Sequence, residues 1–201
     1  MDNIKDTSVK PYVVVIAGPN GAGKTTCATH LLPKNIAIKH FVNADLIAKG
    51  LSPFDPSVTD IEAGRLMLKR IKTLTKKKEN FAFETTLASK LFVNLLENCR
   101  ADGFQIVIIF LSLVSPELAF SRVKTRVERG GHFVPEETVR RRYRRGIVNF
   151  FTIYKDLADI WILGDNSHSS PTMIAYKVKE ETFIVDRLRY DSIIQNICSN
   201  E

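Results

Sequence analysis

The 201-residue chain carries only three cysteines, Cys27, Cys99 and Cys198, with no CxxC pair and no metal-ligand spacing. A disulfide framework and a zinc module are excluded, and a reduced, cytoplasmic setting is expected. Long hydrophobic runs are also missing. The longest apolar stretch, residues 104–114, is interrupted by Gln105 and Ser112 and is too short to cross a bilayer, so it reads as a buried strand. Residues 1–10 lack the basic start and apolar core of a signal peptide. His30, His40 and His168 have no spaced partners that would suggest a metal site. Without repeats, low-complexity linkers or a composition break, one domain is expected over residues 1–201.

Charge of one sign is abundant, and it is localised. The chain has a formal net charge of +7, and residues 122–145 hold eight Arg and one Lys against three Glu, a net +6. A solvated basic helix is one explanation. An anion site is the other, because a concentrated charge focuses on a phosphate-bearing ligand and the Arg fork pairs bidentately with phosphate oxygens.

Short apolar runs alternate with helical stretches, the pattern of a mostly parallel central sheet flanked by crossover helices, an α/β architecture. Strands are expected at 12–17, ending at 42, and at 81–83, 105–111 and 160–163, with a terminal hairpin from 173–178 and 182–185. Helices are expected from Lys24 to Leu32, stopped by Pro33, and from Ser57 as N-cap, with Ile61, Leu68, Ile71 and Leu74 on one face. Others should run from Leu87 to Arg100, from Ser115-Pro116 to Arg129, and from Pro135 to about Ala158. Gly130-Gly131 is expected to break the Arg-rich region, about 122–145, into a hinged lid.

Gly18-Pro19-Asn20-Gly21-Ala22-Gly23-Lys24-Thr25 satisfies GxxxxGK[ST] between an expected strand and an expected helix. Glycines let successive backbone N–H groups converge on phosphate oxygens. Lys24 adds a point charge, Thr25 offers its hydroxyl to Mg²⁺, and the helix N-terminus faces the anion together with Thr26. ATP and Mg²⁺ are the expected cofactors. Two acids fall beyond strand ends, where doubly wound sheets bind ligands: Asp45 after the second strand and Glu84 after the third. A kinase needs such a carboxylate to orient and deprotonate an acceptor hydroxyl. The alternative for Asp45 is a helix cap.

The order GPNGAGKTT, VNADLIAKGLSP, FAFETTL, RVxxRVxxGGHxVPxxxxxRRY and WxxxDNS resembles the zeta-toxin-like kinases, over about residues 12–167. More narrowly it is similar to their small stand-alone branch often labelled predicted ABC-type ATPase. The resemblance implies a P-loop kinase that moves the γ-phosphoryl of ATP to the 3′-hydroxyl of the amino sugar of UDP-N-acetylglucosamine. It matches Asp45 to the catalytic acid that accepts the hydroxyl proton, and Glu84 with Thr86 to the sugar site beside Asn43. Cationic positions over the transferring phosphate fall near His132 and at Arg145, with Arg129, Arg141 and Arg142 sharing the task. Two positions depart from the family pattern: Val114 stands where a substrate-contacting threonine is expected, and His132 where an arginine is. A neutralising antitoxin protein is an implied partner, though no such segment lies in this chain.

Other readings stay open. The same mechanism could act on NAD or another nucleotide-like molecule. A polynucleotide-end module could use the basic segment as a phosphate track, although only Tyr143 supplies the interleaved aromatic that such a track needs. Asp165-Asn166-Ser167 is expected either to border the adenine or to form a plain turn.

Overall fold

The computed structural model describes residues 10–32 and 38–198. Pro33, the expected helix stop, lies outside these residues. The β-branched run YVVVIA makes β1 (Tyr12–Ala17), and its residues 13–17 are fully buried, as a strand covered on both faces requires. β1 pairs in parallel with β3 (Phe81–Thr85) on one side and β4 (Gln105–Ser112) on the other. β2 (His40–Val42) extends the sheet beyond β3, and β5 (Ile160–Asp165) extends it in parallel beyond β4. β6 (Thr172–Val178) and β7 (Glu181–Ile184) close the other edge as an antiparallel hairpin, giving the order β2-β3-β1-β4-β5-β6-β7. The expected α/β architecture with a mostly parallel sheet is what the chain adopts. Chain direction away from β1 reverses between β3 and β4, so the crevice above β1 is the topological switch point.

Two apolar layers cover the sheet. Val14, Ile16, Ile109 and Leu111 face α1 (Lys24–Leu31) and α5 (Pro116–Glu128). Val13, Val15, Phe81, Phe83, Ile108 and Phe110 face the other layer. That layer includes α3 (Asp60–Lys76), α4 (Val93–Ala101), the π-helical turn Phe150–Tyr154 and the final helix. α2 (Ala44–Leu51) packs on α3. α6 (Glu136–Asn149) runs through the π turn into the short α7 (Lys155–Leu157). Phe150 in that turn meets Phe110 and Trp161, with ring centroids at 4.8 and 5.8 Å.

Four local expectations change. Asp55, not Ser57, supplies the cap, accepting from Ser57 N at 3.2 Å over a 3₁₀ turn, and α3 proper begins at Asp60. Ile61 leaves the apolar face and is 75% exposed, while Ala63 and Met67 join Ile71 and Leu74 in the core. The helix expected from Leu87 starts only at Val93, because the hydroxyls of Thr85 and Thr86 accept from Leu87 N and Ala88 N and hold a turn. A final helix, α8 (Arg187–Cys198), follows the hairpin and buries Ile193 and Ile197. Among the described residues no helix is long and apolar enough to cross a membrane.

Candidate active site

The loop between β1 and α1 wraps tightly enough that two glycines are structural necessities. Gly18 has φ 138° and presses on the Leu111 backbone, where a Cβ would fall under 3.0 Å; Gly21 has φ 78°, and a Cβ there would fall 2.7 Å from the Ala119 carbonyl oxygen. Lys24 opens α1 and turns back into the loop, its Nζ donating to the Pro19 carbonyl at 2.9 Å. Burial pulls the Lys24 ammonium below its ordinary range, Glu84 and then Asp45 pull it back up, and Arg126 adds to the fall. A buried cation with incomplete compensation is well matched to a polyanion.

Glu84 supplies the nearest compensation. Its Oε1 lies 3.6 Å from Lys24 Nζ. Its Oε2 accepts from Thr25 Oγ1 at 2.7 Å and from Asn43 Nδ2 at 2.6 Å. Asn43 is buried and works twice, since its Oδ1 also caps α2 by accepting from Leu46 N at 3.1 Å. β1 and β3 are neighbours, with Ile16 opposite Glu84, so the sheet register itself sets this carboxylate beside the loop. The expectation put Glu84 and Asn43 on the acceptor side; the structure brings Glu84 against Thr25, the hydroxyl expected to meet the metal, with Asn43 donating to the same carboxylate oxygen. A hydroxyl, a carboxylate and phosphate oxygens are the hard-oxygen donors Mg²⁺ takes. Among the described residues there is no cluster of three or more His, Cys, Asp or Glu that could hold a metal.

Asp45 stands in the first turn of α2, exposed, across from the loop. Its Oδ2 lies 3.9 Å from Arg126 NH1. Arg126 comes from α5, donates NH2 to the His132 carbonyl at 2.8 Å, and keeps a buried Nε without a partner. His132 Nε2 lies 3.8 Å from Asp60 Oδ2 at the start of α3. Arg129 caps the end of α5 and lines an open hollow of about 460 Å³ with Lys49, Arg122 and Arg126. Arg141 and Arg145 are exposed on α6, and Arg142 is half-buried. Gly146 follows Arg145 where α6 meets the turn after β3, and a Cβ there would come under 3.0 Å from the Thr86 carbonyl oxygen. Thr86 is thereby tied to α6 by backbone contact.

Arg126 was passed over in the sequence reading, although Arg122, Arg126 and Arg129 recur at helical spacing and share one face of α5. Arg122 was also missed. It donates to the Asn166 and Ser167 carbonyls at 2.7 and 2.8 Å, and Asn166 Nδ2 donates to the Ala22 carbonyl at 2.8 Å. The 165–167 segment is therefore a brace for the phosphate loop, whatever it does for a base. Asp165 itself is buried. Burial pushes its carboxyl up, but hydrogen bonds from Ser167 and the Arg189 charge outweigh that and hold it below the usual range.

Residues 13–145 match the family described as AAA domain. The chain belongs to this AAA-domain family. An uncharacterized protein of Haemophilus influenzae is 28% identical over 130 residues, covering 65% of this chain and 91% of the relative. In three dimensions the chain is similar to one of the AvrRxo1-ORF1:AvrRxo1-ORF2 complex with sulphate ions, with TM-score 0.77 and 15% identity. It covers 92% of this chain and only 64% of that one, so this chain spans less than two thirds of that relative's length. A structure from the PezAT chromosomal toxin-antitoxin system of Streptococcus pneumoniae aligns with TM-score 0.66 and 14% identity, over 97% of this chain and 81% of that one. At these identities the likeness shows a shared fold.

Proposed function

We propose that this protein is an ATP-dependent kinase of a nucleotide-linked small molecule, with the 3′-hydroxyl of the amino sugar of UDP-N-acetylglucosamine as the leading acceptor. The reading rests on one observation: Glu84 lies 3.6 Å from the buried Lys24 of a P-loop and accepts from Thr25 at 2.7 Å. In it, Gly18 to Thr26 hold the triphosphate and Lys24 exchanges its Pro19 carbonyl for a phosphate oxygen. Glu84 and Thr25 would hold Mg²⁺, which would supply neutralising charge to the phosphate oxygens. Asp45 leaves Arg126 to accept the proton of the acceptor hydroxyl, and Arg126 turns to the transferring phosphoryl group. Arg145, with Arg129, Arg141, Arg142 and His132, closes from the lid, and Thr86 borders the acceptor. One such arginine is worth roughly 10³–10⁵ in turnover.

The acceptor assignment comes from the zeta-toxin-like resemblance, and so does a neutralising protein partner, which the PezAT toxin-antitoxin likeness supports by analogy. The test is phosphate transfer from ATP to a panel of UDP-sugars and NAD, read by mass. Transfer to UDP-N-acetylglucosamine is the expected result. Transfer to NAD alone keeps the mechanism and replaces the acceptor, and no transfer to any member removes the reading.

A further inference from the structure

β7 (Glu181–Ile184) ends the sheet, with β6 on one side and no strand on the other among the described residues. Its inner edge is fixed from both ends. At one end Val178 faces Glu181 across the two-residue loop Lys179-Glu180, whose φ values of 50° and 68° suit a type I′ turn. At the other end Val185 N donates to the Ile174 carbonyl at 2.8 Å. Bonded and unbonded positions alternate along an antiparallel pair. Glu181, Phe183 and Val185 therefore bond inward, and Thr182 and Ile184 point their N–H and C=O outward.

Sheet edges are usually blunted by proline, lysine or a bulge. β7 has none of these: its sequence is ETFI, and the register shift of β6 lies on its far side, against β5. Apolar side chains crowd the edge instead. Phe183, Ile184 and Val185 are exposed, and Leu188 in the next turn is 87% exposed.

Charge says what can cover this edge. The chain carries a formal +7, so two copies repel over much of their surface. Residues 177–187 hold Lys177, Lys179 and Arg187 against Glu180, Glu181 and Asp186, and so carry no net charge. The order of these charges is self-complementary as well. Turning the segment about Ile184 sets Glu181 opposite Arg187 and Phe183 opposite Val185. Arg187 is exposed and held only by Asp191 of its own helix, at 3.0 Å.

From these features we infer that β7 pairs with β7 of a second copy of this chain, antiparallel about a two-fold axis at Ile184. The two sheets become one continuous sheet. The contact is isologous, so it closes at two copies. Across it the two Ile184 residues exchange backbone bonds, Glu181 meets Arg187 twice, and Phe183 packs on Val185 twice. So short a strand makes a small interface, and the dimer is reversible, with Kd on the order of 10 µM. The edge lies four strands from β1 and the phosphate loop, so the pairing does not depend on the kinase reading.

The experiment is sedimentation velocity on the full chain at low salt, over concentrations from about 1 to about 300 µM. The wild type should pass from monomer to dimer. Glu181→Arg and Arg187→Glu each turn two attractive cross-strand pairs into repulsive ones, and each should weaken the dimer roughly tenfold or more. An equimolar mixture of these two variants should recover it, because every altered charge then faces an opposite one. Ile184→Pro removes an outward N–H that the β6 ladder does not use, and should leave a monomer whose circular dichroism is native. Should that variant unfold, the two charge variants alter only exposed side chains and carry the test. A wild type that stays monomeric throughout, single charge variants that dimerise like the wild type, or a mixture no tighter than either variant alone overturns the inference.

Discussion

Replacing Glu84 by alanine should expose how the phosphate loop is balanced. Glu84 and Lys24 are 3.6 Å apart with side chains only 12% and 7% exposed, and Glu84 also accepts from Thr25 and Asn43. Removing one partner of a pair this buried leaves the other charge uncompensated, at a cost of about 3–5 kcal/mol. Two donors are orphaned as well, which moves the expectation to the upper part of that range. The cost has a sign in pH. Lys24 already titrates below its ordinary range in the folded state, and losing Glu84 lowers it further. Between the folded and unfolded values the unfolded chain binds more protons, so stability rises with pH. The Glu84→Ala deficit should therefore shrink as pH is raised from about 7 toward 10. Urea unfolding of wild type, Glu84→Ala, Lys24→Met and the double variant closes a mutant cycle. A coupling near zero, or a deficit in Glu84→Ala below about 0.5 kcal/mol, would refute this account of the loop.

Gly146→Ala adds one methyl between α6 and the Thr86 carbonyl oxygen. Helix propensity favours alanine by about 1 kcal/mol, but the overlap with backbone should reverse that and cost about 1–3 kcal/mol in thermal or urea unfolding. Because Arg141, Arg142 and Arg145 ride on the same helix, turnover should fall by roughly 10²-fold, as a misplacement of about 1 Å does. Arg126→Ala and Arg145→Ala should each depress kcat by about 10³-fold or more in a coupled ATP assay while ATP affinity changes less, and an unaltered kcat takes that residue out of the mechanism. Asp165, held below the usual carboxylate range, contributes stability that is full at neutral pH and lost as pH falls below about 3.9. Arg189→Met should move that loss to higher pH, as followed by circular dichroism.

Much of the frame was legible because it follows from local patterns. β-branched runs gave the strands and GxxxxGK[ST] gave the loop; the alternation of strand and helix gave the parallel sheet. The tail was less legible. α8 follows a hairpin and mixes Arg187, Arg189 and Asp191 with Ile193 and Ile197, so its apolar stripe is narrow. The late start of α4 at Val93 turns on two threonine hydroxyls bonding to backbone, a contest that propensity does not decide. In the candidate site, spacing found Lys24, Thr25, Asp45 and Glu84, but which oxygen meets which donor depends on the register of β1 against β3. That register is why Glu84 stands beside Thr25. Arg122 and Arg126 were hidden in plain charge, as two of eight arginines in one segment, distinguished only by the α5 face they occupy.

The most direct test of the central claim is the mass of the acceptor after incubation with ATP and Mg²⁺, run with wild type and Asp45→Asn side by side. Asparagine keeps the shape of the side chain but cannot take the hydroxyl proton, so nucleotide binding should persist while transfer drops by roughly 10²–10⁴-fold. An acceptor heavier by one phosphate with the wild type, and not with Asp45→Asn, is the predicted result. Equal transfer by both proteins would contradict the account, leaving Asp45 a surface acid in the first turn of α2.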